Sequence, residues 1–172
     1  MIQPEKLFST PLWHIKAEDG DKKSIDELYE WVLDYQDDEG VTKSNRGGWQ
    51  SSDSDNFDAI PHIDLLKKKL YHLGCGLKLQ NWWVNVNKKG DWNLIHTHPN
   101  CDLSLVWYLT DGDICFDNPN SHNRLEVGDC SIWESKNKKG DVVVFPADLK
   151  HFVNPNQKDE DRMSLAFNIN LL

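Results

Sequence analysis

Residues 77–109 read LKLQNWWVNVNKKGDWNLIHTHPNCDLSLVWYL, and how this stretch divides into strands decides the fold. LKLQNWWVNVNKK alternates in character and LSLVWYLT is a continuous β-prone run, so both are expected to be strands. Between them, GDWNLIHTHP sets His96 and His98 one residue apart. Residues i and i+2 of a strand share a face, so two imidazoles at this spacing can aim their ring nitrogens at one point. The pair permits chelation, and it is equally compatible with two half-exposed polar residues.

Downstream, DICFDN, GDVVVFP and the alternating MSLAFNINLL add further strands, separated by turn-forming DGD, DNPNSHN, ADLK and NPNQKDED. Upstream the period changes. SIDELYEWVLDYQDD predicts a helix with Ser24 as N-cap, Glu27 at the capping-box position, and apolar Ile25, Leu28, Trp31, Val32 and Tyr35 on one face. Gly40 ends it. A second helix is expected from Phe57 or Pro61 to Leu73, stopped by Gly74 and Gly76. LFSTPLWHIK offers a short lead-in strand, and TKSNRGGWQSSDSDNF reads as loop with Trp49 tucked into a strand. Helices followed by many short antiparallel strands imply a mainly β sandwich or barrel with the helices packed outside.

A chain of 172 residues suits a single domain. Residues 1–76 supply the N-terminal strand and supporting helices, and 77–172 form the β core. With 28 acidic and 19 basic residues, a net charge of −9 and only small scattered basic groups, the chain offers no phosphate-tracking surface, which argues against a nucleic-acid partner. Cys75, Cys101, Cys115 and Cys130 are too widely spaced for a C-x-x-C motif and read as reduced, mostly buried residues. MIQPEKLFSTPLWHIK has no basic region followed by an apolar run, and no stretch has the length of a membrane span, so a cytoplasmic protein is expected. Trp82, Trp83, Trp92 and Trp107 cluster in sequence around the histidine pair, as core or as pocket wall.

A metal site needs a third ligand. His151 is the candidate: the apolar run ending at Pro146 places an imidazole after a short turn, at the mouth of a barrel. Eleven residues on, Arg162 and Ser164 fall on one face of the last strand, with Ala166 and Asn168. An inward arginine is costly unless it meets an anion, and its planar fork suits a carboxylate, to which Ser164 can add a neutral donor. The alternative is a surface arginine answering Asp159, Glu160 and Asp161.

These motifs in this order, H-x-H, S-L-V-W-Y-L, G-D-V-V-V-F-P…H and R-x-S before an F-N strand, resemble the Fe(II)- and 2-oxoglutarate-dependent oxygenases over about residues 77–172. The most similar pattern, H-x-H…S-G-V-Y-Y-L…F-P…H…R-x-S-x-x-F-N, belongs to a small oxygenase family of phages and marine bacteria that is prolyl-hydroxylase-like. The resemblance implies a double-stranded β-helix (jelly roll, a cupin-like barrel) carrying Fe(II) at its mouth. It implies 2-oxoglutarate and O2 as cosubstrates and hydroxylation of a small-molecule or peptidyl substrate. His96 and His151 match iron ligands, Arg162 and Ser164 match the grip on the far carboxylate of 2-oxoglutarate, and Tyr108 matches a tyrosine that bonds the same carboxylate; Asn85, on the strand before the metal loop, is expected to face the cosubstrate.

Two departures stand out. Leu105 and Trp107 replace a glycine and a tyrosine of the family pattern, which is expected to reshape the pocket. The wider superfamily has H-x-D where this chain has His98; the near family shares the histidine, so the resemblance implies His98 as the third ligand with His96 and His151, and Asp102 is the alternative. A second resemblance uses the same residues: Gly90, H-x-H and Asp102, with Gly140, Pro146 and His151, partly match the two cupin motifs. That reading keeps the fold but implies a cupin-like metalloenzyme or metal-dependent binding protein that does not use 2-oxoglutarate.

Overall fold

The computed structural model describes residues 9–36, 39–119 and 131–172. Its elements run β1 (Trp13–Ile15), α1 (Lys22–Tyr35), β2 (Asn45–Arg46), β3 (Trp49–Gln50), α2 (Ile63–Tyr71), β4 (Leu77–Asn87), β5 (Trp92–His96), β6 (Leu103–Tyr108), β7 (Gly112–Asp117), β8 (Ile132–Asn137), β9 (Val142–Pro146), β10 (His151–Val153) and β11 (Arg162–Leu171). The strands form two antiparallel sheets, β1-β9-β6-β11-β4-β3 and β2-β5-β10-β7-β8. This is the expected mainly β jelly roll, with the helices outside.

Strand alternation explains the layering. On β4, β6, β9 and β11 one face carries Trp82, Val84, Leu105, Trp107, Val142, Val144, Met163, Leu165 and Phe167, all packed against Ile25, Leu28 and Val32 of α1 and Leu66 and Leu70 of α2. Burying each such side chain stabilises the fold by about 1.5–3 kcal/mol, so the helices are held by their apolar stripes rather than by propensity. The opposite face of the large sheet looks toward the small sheet. There Tyr108, Val143 and Phe145 meet Ile114 and Phe116. Leu105 and Trp107 belong to the helix-covered face and are wholly buried, so they do not reshape the pocket as expected.

The helix boundaries differ from expectation. α1 begins at Lys22, two residues before Ser24, because a 3-10 turn at Asp19–Asp21 leads into it and the capping box lies between Glu18 and Asp21. Asp21 is also buried against Lys69 of α2. Glu27 instead accepts from His62 Nε2 at 2.6 Å, clasping the two helices. The predicted second helix splits into a 3-10 turn, Phe57–Ala59, and α2. The 43–56 segment is not simply loop: β2 joins the small sheet at β5 and β3 joins the large sheet at β4. β8, whose exposed and charged positions gave no alternating signal, pairs with β7 from Ile132↔Asp117 to Asn137↔Gly112. Of the cysteines, Cys115 is buried, Cys101 is intermediate and Cys75 exposed; Cys130 lies outside the described residues.

Asp141 pins the β1 edge. Its buried carboxylate accepts the backbone N–H of Ala17 and of Lys138, both at 3.0 Å, and the Lys16 ammonium at 2.9 Å. Burial pushes its pKa up, but these donors outweigh burial and hold it below the usual carboxylate range. Asp141→Ala strands buried donors and is expected to cost about 2–4 kcal/mol in chemical denaturation at pH 7. Because the folded pKa is depressed, the charge-dependent share of this stabilisation is present above the unfolded value of 3.8 and is lost as pH falls through the folded one. The gap between wild type and Asp141→Asn therefore narrows in acid.

Candidate metal centre

β5 and β10 pair antiparallel with His96 directly opposite His151, and their ring centroids lie 4.3 Å apart. β5 ends at His96, so strand alternation does not bring His98 to the same point. The chain turns beyond the strand, where the His98 N–H donates to the Ala147 carbonyl at 2.8 Å. His98 is thereby laid flat on His151, with rings 12° from parallel, and on Trp83 at 5.4 Å. One ligand atom from each of the three histidines lies within 4.8 Å of the others.

The hydrogen bonds fix which nitrogens converge. The Nδ1–H of His96 donates to the Leu94 carbonyl at 2.7 Å and that of His151 to the Leu149 carbonyl at 2.8 Å. Each ring is left with its lone pair on Nε2, the arrangement in which an outer hydrogen bond orients a metal-binding imidazole. Burial, with His96 nearby, pushes the pKa of His98 down to about 4 and that of His151 to about 3. Burial lowers His96 too. The imidazoles are neutral at pH 7 and able to donate lone pairs. The Nε2 atoms of His98 and His151 are 3.1 Å apart. Two ligands at right angles on one ion, with bonds of about 2.1 Å, stand about 3 Å apart, so the donor set fits a single transition-metal ion.

Behind the histidines lies a cavity of about 50 Å³ between the sheets. Its floor is the inner face of the large sheet, and the register stacks it in rows: Trp83, Ala166 and Val106; then Asn85, Ser164 and Tyr108; then Asn87 and Arg162 at the closed end. All the predicted site residues, His96, His98, His151, Arg162, Ser164, Tyr108 and Asn85, line this one cavity. Arg162 is 7 % exposed, which excludes the surface reading of it. Its Nη1 donates to the Asn154 carbonyl at 3.0 Å and to Asp113 Oδ1 at 3.1 Å. Burial, with Asp113 close by, raises the Tyr108 phenol far above its ordinary value, so it stays a neutral hydroxyl.

A sequence family described as "Putative 2OG-Fe(II) oxygenase" matches residues 81–168, just over half of the chain and the whole span from the cavity floor to the last strand. The chain belongs to this family of Fe(II)- and 2-oxoglutarate-dependent oxygenases. It is therefore an oxygenase that uses Fe(II), 2-oxoglutarate and O2, and the cupin-like alternative without 2-oxoglutarate is set aside. No curated protein sequence matches the chain. Solved structures agree on the fold. HygX from Streptomyces hygroscopicus, with nickel and 2-oxoglutarate bound, is 14% identical with a TM-score of 0.66, covering 94% of this chain and 83% of its own. SnoK, an alpha-ketoglutarate-dependent carbocyclase from nogalamycin biosynthesis, is 13% identical with a TM-score of 0.66, covering 93% and 79%. AviO1 from Streptomyces viridochromogenes Tue57 is 16% identical with a TM-score of 0.65, covering 94% and 90%.

Several side chains of the oxygenase fall elsewhere than their sequence positions suggest. Asp102 is not part of the histidine group: it is exposed, and its carboxylate accepts the Leu171 N–H at 2.8 Å. Trp82 and Trp107 lie in the helix-covered core, and Trp92 is partly exposed, leaving Trp83 as the member of that set stacked on a site histidine. Asp113 was not singled out by any sequence motif. Its carboxylate groups with Cys115 and Glu134, but Asp113 is ion-paired with Arg162, Glu134 is exposed beside Lys136, and burial pushes the Cys115 thiol up, so this trio suits a metal less well than the three histidines do. A larger hollow of about 710 Å³ runs along α1, open and lined by Asp26, Glu30 and Asp34; it is remote in sequence from the catalytic motifs and no buried donors converge on it. No helix among the described residues is long and apolar enough to cross a membrane.

Proposed function

We propose that this oxygenase hydroxylates a C–H bond of a polar substrate, a peptidyl residue or a small hydroxyl-bearing molecule. Iron is held by His96, His98 and His151, and 2-oxoglutarate by Arg162, Ser164 and Tyr108, with Asn85 beside it. One observation carries the reading: three converging imidazoles, two of them oriented through Nδ1–H bonds to backbone carbonyls, and a buried guanidinium line the same narrow cavity. When bound, iron supplies the coupling of O2 and 2-oxoglutarate to substrate oxidation. The chain's part is to fix both reactants in one orientation and exclude water. Trp83, flat against His98, walls the mouth.

Support for a polar substrate comes from the cavity lining, where Ser44, Asn87, Asn93 and Ser104 add polar side chains to those assigned to iron and 2-oxoglutarate. HygX, which shares the fold, has been solved with hygromycin B bound. Succinate release from 2-oxoglutarate, measured with iron and air across panels of peptides and hydroxylated small molecules, tests this. Substrate-stimulated succinate with a matching mass gain of one oxygen is expected. A panel hit that raises succinate without oxygen incorporation would contradict hydroxylation.

The ligand assignment makes a separate prediction. His98→Ala is expected to lose at least about tenfold in iron affinity, whereas Asp102→Ala retains iron at the wild-type level. Iron content of the purified, reconstituted variants decides it, and loss in Asp102→Ala alone would reverse the assignment.

A further inference from the structure

Arg162 already has a carboxylate. Its Nη1 hydrogens are both engaged, one by Asp113 Oδ1 at 3.1 Å and one by the Asn154 carbonyl, while Nη2 makes only a long contact of 3.4 Å to the Asp91 carbonyl. The pair is built into the fold. β11 sets Arg162 at the closed end of the cavity, and Gly112 lets the start of β7 come up against it. A Cβ at Gly112 would stand 3.1 Å from Arg162 Cδ and 2.9 Å from Tyr108 Cε1. Asp113, the next residue, also lines the cavity.

The consequence is electrostatic. Three neutral imidazoles contribute no charge, so among the described residues lining the cavity the one cation, Arg162, is balanced by the one anion, Asp113. A bound 2-oxoglutarate dianion brings a second carboxylate to the same guanidinium. Two carboxylates a few ångströms apart repel, and the low polarity of the cavity strengthens the repulsion. Asp113 is 24% exposed, so solvent weakens this without removing it.

We propose that Asp113 is a resident competitor for Arg162 that sets the affinity for the cosubstrate. It holds 2-oxoglutarate, and the succinate formed from it, less tightly than the arginine alone would. The inference rests on Arg162 being the grip for the distal carboxylate. Succinate keeps that carboxylate, so the same repulsion favours its departure after turnover. Asp113 is a positioning and affinity-setting residue, not a catalytic one.

The experiment is an anaerobic titration of the Fe(II)-loaded chain with 2-oxoglutarate, read by its visible charge-transfer absorption, with succinate as competitor. Asp113→Asn is expected to tighten 2-oxoglutarate and succinate by about tenfold each. Asp113→Glu keeps the charge and is expected to stay within about threefold of wild type. 2-Oxovalerate, which has the same chain without the distal carboxylate, is expected to bind wild type and Asp113→Asn alike. Unchanged or weaker 2-oxoglutarate binding in Asp113→Asn, or equal tightening of 2-oxovalerate, would overturn the proposal. Should Asp113→Asn fail to fold, Asp113→Ser takes its place under the same criteria. Failure of the underlying site reading looks different: wild type shows no band, or Arg162→Ala binds 2-oxoglutarate as wild type does.

Discussion

Replacing His151 with alanine is expected to abolish iron retention and, with it, succinate production. His151 is the most buried of the three histidines, at 3% exposure, and it faces both of the others: His96 across the β5–β10 pair and His98 through ring stacking. Its Nδ1–H is committed to the Leu149 carbonyl, so Nε2 has no other partner than a bound ion or the neighbouring imidazole. Removing a metal ligand exceeds the 10–100-fold losses usual for its supporting hydrogen bonds, so a loss of about a hundredfold or more in iron affinity is expected. The metal-free fold has less to lose. The deletion removes one neutral imidazole and its hydrogen bond to the Leu149 carbonyl, and the apoprotein melting temperature is expected to fall by less than about 5 °C. A large fall in apoprotein stability with iron affinity intact would show His151 to be a core residue instead.

Arg162→Ala is expected to weaken 2-oxoglutarate binding by about a hundredfold or more while leaving iron affinity unchanged. Two effects add. The variant loses charge-assisted hydrogen bonds to the cosubstrate, and it leaves Asp113 in the cavity without its partner. Because the second effect belongs to Asp113, Arg162→Ala combined with Asp113→Asn is expected to recover part of the loss, a non-additivity that a double-mutant cycle measures. Arg162→Lys keeps the charge but not the planar fork and is expected to fall between the two. Equal 2-oxoglutarate affinity in Arg162→Ala and wild type would remove Arg162 from the site.

Much of this site was legible because its parts are local. H-x-H, the histidine after the F-P turn, and R-x-S on an alternating strand each carry their own signal, and the alternation of β11 placed Arg162 and Ser164 on one face, as observed. The parts that were not legible depend on pairing across the fold. Asp113 meets Arg162 across 49 residues, through a register and a close approach at Gly112 that no local pattern encodes. Asp102 stood as close in sequence to His98 as a ligand should, but the backbone of Leu171 takes its carboxylate. His98 joins the other two histidines by a turn after β5 rather than by strand alternation, a geometry that the H-x-H spacing does not encode. Ser24 has the chemistry of a helix cap, yet Asp21, buried beside Lys69, starts the helix earlier because tertiary pairing outweighs local propensity. The 43–56 segment contributes Ser44 to the cavity wall, and residues 120–130 lie outside the described residues.

Iron and 2-oxoglutarate, on this assignment, meet in one cavity, and their direct contact is measurable. Anaerobic titration of 2-oxoglutarate into the Fe(II)-loaded protein, followed by visible absorption, reports bidentate chelation to iron. A saturable charge-transfer band that is lost in His151→Ala and shifted to much higher 2-oxoglutarate concentration in Arg162→Ala is the predicted result. A wild-type protein that binds iron but develops no band, or a band that survives both substitutions unchanged, would contradict it.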